Sequence, residues 1–177
     1  MTDNPPLTPD WRDAIFAALK AADIRQVGYV PDAGHSRLIE LCHADPAIRA
    51  VPLTTEEEGV ALAAGAWLGG QRCALLMQSS GVGNCINMLS LTKNCRFPLV
   101  LLVTMRGEWA EFNPWQVAMG SKTQAVLELC DVLVYRVERA DDAAETVAAA
   151  LDIAFNGSLA AAVLLSQRMI GAKRWVK

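Results

Sequence analysis

Cys73-Ala74-Leu75-Leu76-Met77-Gln78-Ser79-Ser80-Gly81-Val82-Gly83-Asn84 decides the fold, because an apolar run passes through a small, glycine-rich stretch into a segment with helical spacing. A strand that is apolar without alternation has both faces buried, as helices on each side of a parallel sheet require. The reading is a strand over 73–78, a tight turn, and a helix over 84–91. Working upstream, 56–68 reads as a helix stopped by Gly69-Gly70, and 50–53 as a short strand. Residues 26–30 form another strand, closed by Pro31-Asp32-Ala33-Gly34, with Leu38, Ile39 and Leu41 beginning a helix behind it. Thr8-Pro9 places a capping residue before a proline at the head of a helix that carries Trp11, Ile15, Leu19 and Ala22.

Downstream, 99–104 is a second apolar strand, and 105–120 is a long loop carrying Trp109, Phe112 and Trp115. Ser121-x-x-Gln124 reads as a capping box that restarts a helix, followed by a strand over 132–137. Asp142-x-x-Glu145 caps a last helix with Val147, Leu151 and Phe155 on one face, ended by Gly157 before a strand over 161–165 and the tail Lys173-Arg174-Trp175-Val176-Lys177. This alternation predicts an α/β domain of three αβα layers: about six strands in a mostly parallel sheet, with helices on both faces. With 177 residues and 53% hydrophobic content, the chain is expected to form a single domain over 1–177.

The net charge of −3 is scattered, with no basic stripe to follow a phosphate backbone, so nucleic acid is not an expected partner. Apolar runs such as Leu99–Val103 fall far short of the roughly 18 residues of a membrane span, and the N-terminus has no basic and apolar signal pattern. A cytoplasmic protein without a membrane partner is expected. The five cysteines contain no C-x-x-C pair, and only Cys42-His43 resembles a ligand cluster; free, mostly buried thiols and no metal ligands are expected. His43 reads as a helix-end residue.

In such sheets ligands gather at the carboxyl ends of the strands, which selects 31–36, 54–58, 78–84 and 106–120. Thr54-Thr55-Glu56-Glu57-Glu58-Gly59 puts three carboxylates at a helix N-terminus. A Thr55/Glu58 capping box explains one of them and dipole complementarity another, but three exceed what a cap needs. Backbone N–H groups of 78–84 can approach a ligand, although a dinucleotide fingerprint would need glycine at Ile86 and a plain tight turn is the alternative. Arg106 is either a clamp for an anionic substrate or the ion-pair partner of Glu108 or Glu111. Asp32 and His35 share the first strand-end loop, as proton shuttle and partner or as a cap with a solvated histidine. The loop aromatics argue for burial against a ligand or, preferably, another chain.

Taken in order, Val30-Pro31-Asp32, Glu56 to Gly65, Gln78-Ser79-Ser80-Gly81-Val82-Gly83-Asn84 and Arg106-Gly107-Glu108 resemble the pyrimidine-binding domain of thiamine diphosphate enzymes. Within them the chain is most similar to sulfopyruvate and phosphonopyruvate decarboxylases, through Val60-Ala61-Leu62-Ala63-Ala64-Gly65, the Q-S-S-G-x-G-N stretch and the R-G-E. The resemblance implies a carboxy-lyase that acts on a small 2-oxo acid, in which a glutamate opening the 56–68 helix hydrogen-bonds N1′ of the cofactor aminopyrimidine. Ungapped alignment of 60–65 makes that residue Glu56; the commoner family pattern makes it Glu57, and Glu56 is preferred. Ser80, Gly81, Val82, Gly83 and Asn84 would lie beside the pyrimidine, with Asp32, His35, Arg106 and Gln116 facing the substrate. The family's G-D-G motif, which binds the diphosphate and Mg2+, does not occur here. The resemblance therefore implies an α subunit whose site is completed by a β subunit that holds most of the thiamine diphosphate and its Mg2+. Two other readings stand beside it: a non-catalytic binding or regulatory domain of the same fold, and a doubly wound domain for an unrelated nucleotide. Carboxylates crowding the helix N-terminus would repel a phosphate there and disfavour the last.

Overall fold

A computed structural model describes residues 10–171. Helix α1 (Trp11–Ala21) opens on Asp10, whose side chain accepts from the Arg12 amide at 2.8 Å, so the observed cap is Asp10; the cap expected at Thr8 and the tail at 173–177 lie outside the described residues. There follow β1 (Ile24–Tyr29), α2 (Ser36–Ala44), β2 (Arg49–Pro52), α3 (Glu56–Leu68), β3 (Arg72–Gln78), α4 (Ser79–Cys95) and β4 (Leu99–Thr104). After a loop come α5 (Val117–Gly120), α6 (Thr123–Leu129), β5 (Leu133–Val137), α7 (Ala143–Gly157), β6 (Ala160–Leu165) and α8 (Gln167–Ile170).

The six strands form one sheet in the order β2-β1-β3-β4-β6-β5, and every pairing is parallel. Alternate residues of the apolar strands feed two separate cores. Ala74, Leu76, Val100 and Leu102 face α1 and α7 through Ile15, Leu19, Val147 and Leu151. Leu75, Met77, Leu101 and Val103 face α3, α4 and α6 through Val60, Val82, Leu89 and Leu127. From β1 the chain steps outward to β2 and then returns to lay β3 on the other side of β1, so a topological switch point lies between β1 and β3.

Three local expectations are corrected. The 78–84 stretch is not a turn: β3 runs straight into α4 at Ser79, and the helix spans 17 residues. A helix does restart at Thr123, but Ser121 does not cap it: its Oγ donates back to the Val117 carbonyl at 2.8 Å, and Lys122 stands at the N-cap without a side-chain bond. Asp142 likewise makes no side-chain cap; a 3-10 turn, Ala140–Asp142, leads directly into α7.

Cys42, Cys73 and Cys85 are buried, Cys95 is exposed and Cys130 intermediate, all as free thiols. Burial pushes the thiols of Cys42, Cys73 and Cys85 up to about 12, which makes them unreactive near neutral pH. Among the described residues no group of three or more His, Cys, Asp or Glu is placed to hold a metal ion, and no helix is long and apolar enough to cross a membrane.

Candidate active site

The three consecutive glutamates part company at the start of α3. Successive residues of a helix point about 100° apart, so Glu56 shares a face with Val60 and Ala63, which sit in the core, while Glu57 and Glu58 stay exposed. Glu58 Oε2 accepts from the Thr54 amide at 2.8 Å, so the glutamate half of the expected capping box forms one residue earlier than anticipated. Thr55 makes no cap, and its Oγ1 is buried without a hydrogen-bond partner among the described residues.

Glu56 is 9% exposed and reaches across to α4, where Oε2 accepts from Asn84 Nδ2 at 2.8 Å. It passes directly over Gly81: a Cβ there would stand 2.3 Å from Glu56 Cδ and Oε1. The glycine explains why a residue with poor helix propensity sits in the first turn of a long helix. Gly83, one position further on than Val82, has Met119 Sδ 3.1 Å from its own missing Cβ. Val82 is fully buried in the core, so only its backbone is available to a ligand, and Ser80 Oγ donates to Gln78 Oε1 at 2.8 Å.

At the switch point Asp32 ties three strand ends together. Gln78 Nε2 donates to Oδ1 at 3.0 Å, while the Gly34 amide and Thr104 Oγ1 donate to Oδ2 at 2.9 and 2.7 Å. Burial pushes the Asp32 carboxyl up, but the Thr104 hydrogen bond, the field of His35 and the bonds from Gln78 and Gly34 overcome it and hold the group below its ordinary range. His35 is fully buried, with Nε2 3.0 Å from the Leu102 carbonyl and Nδ1 unpartnered among the described residues. Burial drives its pKa down against the pull of Asp32, so the ring is neutral at pH 7. This corrects the solvated histidine of the sequence reading: the side chain is fully buried and is not among the residues lining the cavity above the ends of β1 and β4.

A cavity of about 250 Å³ opens above the ends of β1 and β4, lined by Arg12, Asp32, Gly34, Thr104, Arg106 and Ile170 among others. Arg12 was not singled out by any sequence pattern. It arrives from α1, its Nε donating to the Gly34 carbonyl at 3.3 Å, and the only signal available was that the N-terminus of a helix preceding a parallel strand falls at the strand's carboxyl end.

Arg106 resolves toward the ion pair. Its Nε and Nη2 grip Glu111 Oε2 and Oε1 at 2.7 and 2.6 Å, whereas Glu108 pairs with Arg136 at 2.6 Å. Glu111, whose side chain is 4% exposed, also accepts from the Gly107 and Asn113 amides and from Gln167 Nε2. The Arg106 hydrogen bond, acting against burial and helped by these donors, lowers the Glu111 pKa to about 2. Gln167 Oε1 accepts in turn from the Glu108 and Trp109 amides at 3.1 and 3.0 Å. The loop is thus stitched together by hydrogen bonds around Glu111, one of the two ion-pair partners the sequence offered for Arg106, while Gln167 and Thr104 are residues that sequence reasoning missed because nothing local marks them. Gln116 is turned into the loop, with Oε1 buried and unpartnered among the described residues, and is not among the residues lining the cavity. Trp109 and Trp115 are nevertheless 48% and 76% exposed. The loop touches the Glu56 neighbourhood through Met119 on Gly83, and the Arg106 amide bonds Ser79 Oγ at 3.0 Å.

The site therefore holds one buried carboxylate with a partner on one oxygen, the helix N-terminus of α4 beside it, and a cavity bordered by two arginines and an ionised aspartate. Residues 10–125 match the family described as thiamine pyrophosphate enzyme, N-terminal TPP binding domain. The chain is 38% identical over 157 residues to the sulfopyruvate decarboxylase subunit alpha of Methanothermobacter thermautotrophicus, covering 88% of this chain and 95% of that one. It is 32% identical over 154 residues to the sulfopyruvate decarboxylase subunit alpha of Methanococcus maripaludis, covering 86% and 92%. The phosphonopyruvate decarboxylase of Streptomyces viridochromogenes is 39% identical over 120 residues, 67% of this chain but 30% of that protein. Among solved structures, the 2-oxoglutarate:ferredoxin oxidoreductase from Magnetococcus marinus superposes over 91% of this chain and 29% of that one with a TM-score of 0.71 at 14% identity, a likeness of fold.

Proposed function

The chain belongs to the thiamine pyrophosphate enzyme family, as its N-terminal TPP-binding domain, and on that premise we propose that it is the α subunit of a thiamine diphosphate-dependent 2-oxo acid decarboxylase. Its substrate is a small anionic acid of the sulfopyruvate or phosphonopyruvate kind. The observation that carries the reading is Glu56: a carboxylate largely withdrawn from water, laid over a glycine that leaves it room, and bonded through one oxygen only. That arrangement fits an aminopyrimidine, whose ring nitrogen takes a carboxyl group as its hydrogen-bond partner. Glu56 would supply it at Oε1, beside the head of α4, where Ser80 is small and exposed. When bound, thiamine diphosphate would supply a carbon that, once deprotonated, is nucleophilic toward a 2-oxo group, together with an electron sink for the pair left as carbon dioxide departs.

Asp32 does not act as a proton donor in this reading. Its three hydrogen bonds hold it ionised, and its part is to fix the strand ends that shape the cavity. Arg12, paired with Asp10, and Arg106, gripped by Glu111, border that cavity and would share their charge with an anionic substrate. The diphosphate and Mg2+ are assigned to a β subunit. Relatives named as α subunits that align over 95% and 92% of their own length support a separate partner chain. The rigid loop with outward tryptophans is the surface assigned to that partner, since a preorganised aromatic patch loses little entropy on docking. The buried free thiols suit a reducing cytoplasm.

The test is decarboxylation of a panel of 2-oxo acids by this chain co-expressed with its candidate β chain, given thiamine diphosphate and Mg2+, against each chain alone. Activity confined to the mixture supports the reading and ranks the substrates. Turnover by this chain alone, or silence from a verified complex across the panel, would sink it.

A further inference from the structure

We propose that Asn84 is the positioning residue of Glu56: its side-chain amide occupies Oε2 and thereby leaves Oε1 as the oxygen that exchanges a proton with the bound pyrimidine ring. The inference rests on the proposed role of Glu56 and adds which atom acts and what selects it. A carboxylate has two chemically equal oxygens, and a proton carrier that presents either one at random is correctly aligned only part of the time. Here the two are made unequal. Asn84 Nδ2 donates to Oε2 at 2.8 Å, and no described residue donates to Oε1. With the amide N–H donating to Oε2, a proton on Glu56 is disfavoured on the lone pair that faces it and favoured on Oε1. The same bond persists when Glu56 is ionised, so the side chain keeps one rotamer through both protonation states.

The backbone geometry supports this division of labour. Gly81 and Asn84 lie three residues apart on α4, hence on one face and about one turn apart. Gly81 provides the gap through which Glu56 passes, and Asn84 is the stop at its end. Asn84 itself is exposed and packs nothing in either core, so replacing it removes a hydrogen bond and little else. In this account Asn84 acts through Glu56, whereas the family resemblance implies a direct contact with the cofactor.

The experiment uses the co-expressed complex and reads two quantities for Asn84→Leu and Asn84→Ala: the rate at which the cofactor C2 proton exchanges with D2O at saturating thiamine diphosphate, and the cofactor Kd. Both variants should slow exchange by about tenfold or more, the scale of one hydrogen bond to a charged group, with Kd changed by less than about threefold. The double variant with Glu56→Gln should exchange no more slowly than Glu56→Gln alone. In the cofactor-free complex, the Asn84 side-chain 15N resonance should shift and its protons lose protection in Glu56→Ala. Weakening of Kd by more than about tenfold with normal exchange would make Asn84 a direct cofactor contact, and unchanged exchange or an unmoved resonance would make it idle. Each of these overturns the inference while leaving Glu56 in place. Normal exchange in Glu56→Gln is the separate result that would remove the parent reading.

Discussion

Gly81→Ala sets helix propensity against the geometry of the site. Alanine is favoured over glycine inside a helix by about 1 kcal/mol. The new Cβ, however, would lie 2.3 Å from Glu56 Cδ and Oε1 and 2.4 Å from Cγ, more than about 1 Å inside a comfortable carbon contact. The atoms it meets are the far end of a flexible side chain, so Glu56 yields before the helix does. Swinging out costs the Asn84 hydrogen bond, about 1 to 1.5 kcal/mol, which nearly cancels the propensity gain. The variant complex should therefore melt within a few degrees of wild type while C2 exchange and turnover fall by about 100-fold or more, to the level of Glu56→Gln. On a Glu56→Ala background, where nothing fills the gap, the same substitution should stabilise by about 1 kcal/mol. Paired urea and exchange measurements on the four variants decide the matter. Wild-type exchange in Gly81→Ala would refute the reasoning, as would an equal destabilisation in both backgrounds, which would put the strain in the backbone rather than in Glu56.

Other outcomes follow from the same geometry. Glu57→Gln changes an exposed carboxylate and should leave turnover within about threefold, whereas Glu56→Gln should abolish it; the reverse ranking, measured in parallel, would move the role by one residue. Glu111 has a folded pKa of about 2, below its unfolded value, so its stabilisation is fully present above about pH 5 and disappears as the pH falls toward 2. Wild type should accordingly exceed Glu111→Gln by about 2 kcal/mol at pH 7, and urea midpoints taken at descending pH should show the gap closing. Trp115→Ala removes a ring that is 76% exposed, so the chain's own stability should move by less than about 0.5 kcal/mol. Its affinity for the β chain, read by calorimetry, should fall about tenfold or more, and an unchanged Kd would place the interface elsewhere.

The sheet was legible because β3, β4 and β6 are continuous apolar runs, and burial of both faces leaves its mark on every residue of a strand. The head of α4 was misread for a physical reason. Serine and glycine at 79–83 have the composition of a turn, and they are tolerated in a helix only because Glu56 and Met119 fill the space their missing side chains leave. The same holds for Ser121 and Asp142, which carry capping patterns where the chain is already helical before them.

What the sequence determined by itself was the alternation of strand and helix, and with it the strand ends and the cluster of glutamates as candidates for chemistry. These follow from period, composition and local rules that act within a few residues. Only the tertiary structure decided which glutamate turns inward, because that depends on α4 lying beside α3 with a glycine in its path. It also decided that Arg106 goes to Glu111, that His35 lies beneath the strands and that Arg12 joins a cavity with Asp32. Those outcomes hang on contacts between residues far apart in the chain, or on a rotamer chosen by its surroundings, and neither leaves a local pattern to be read.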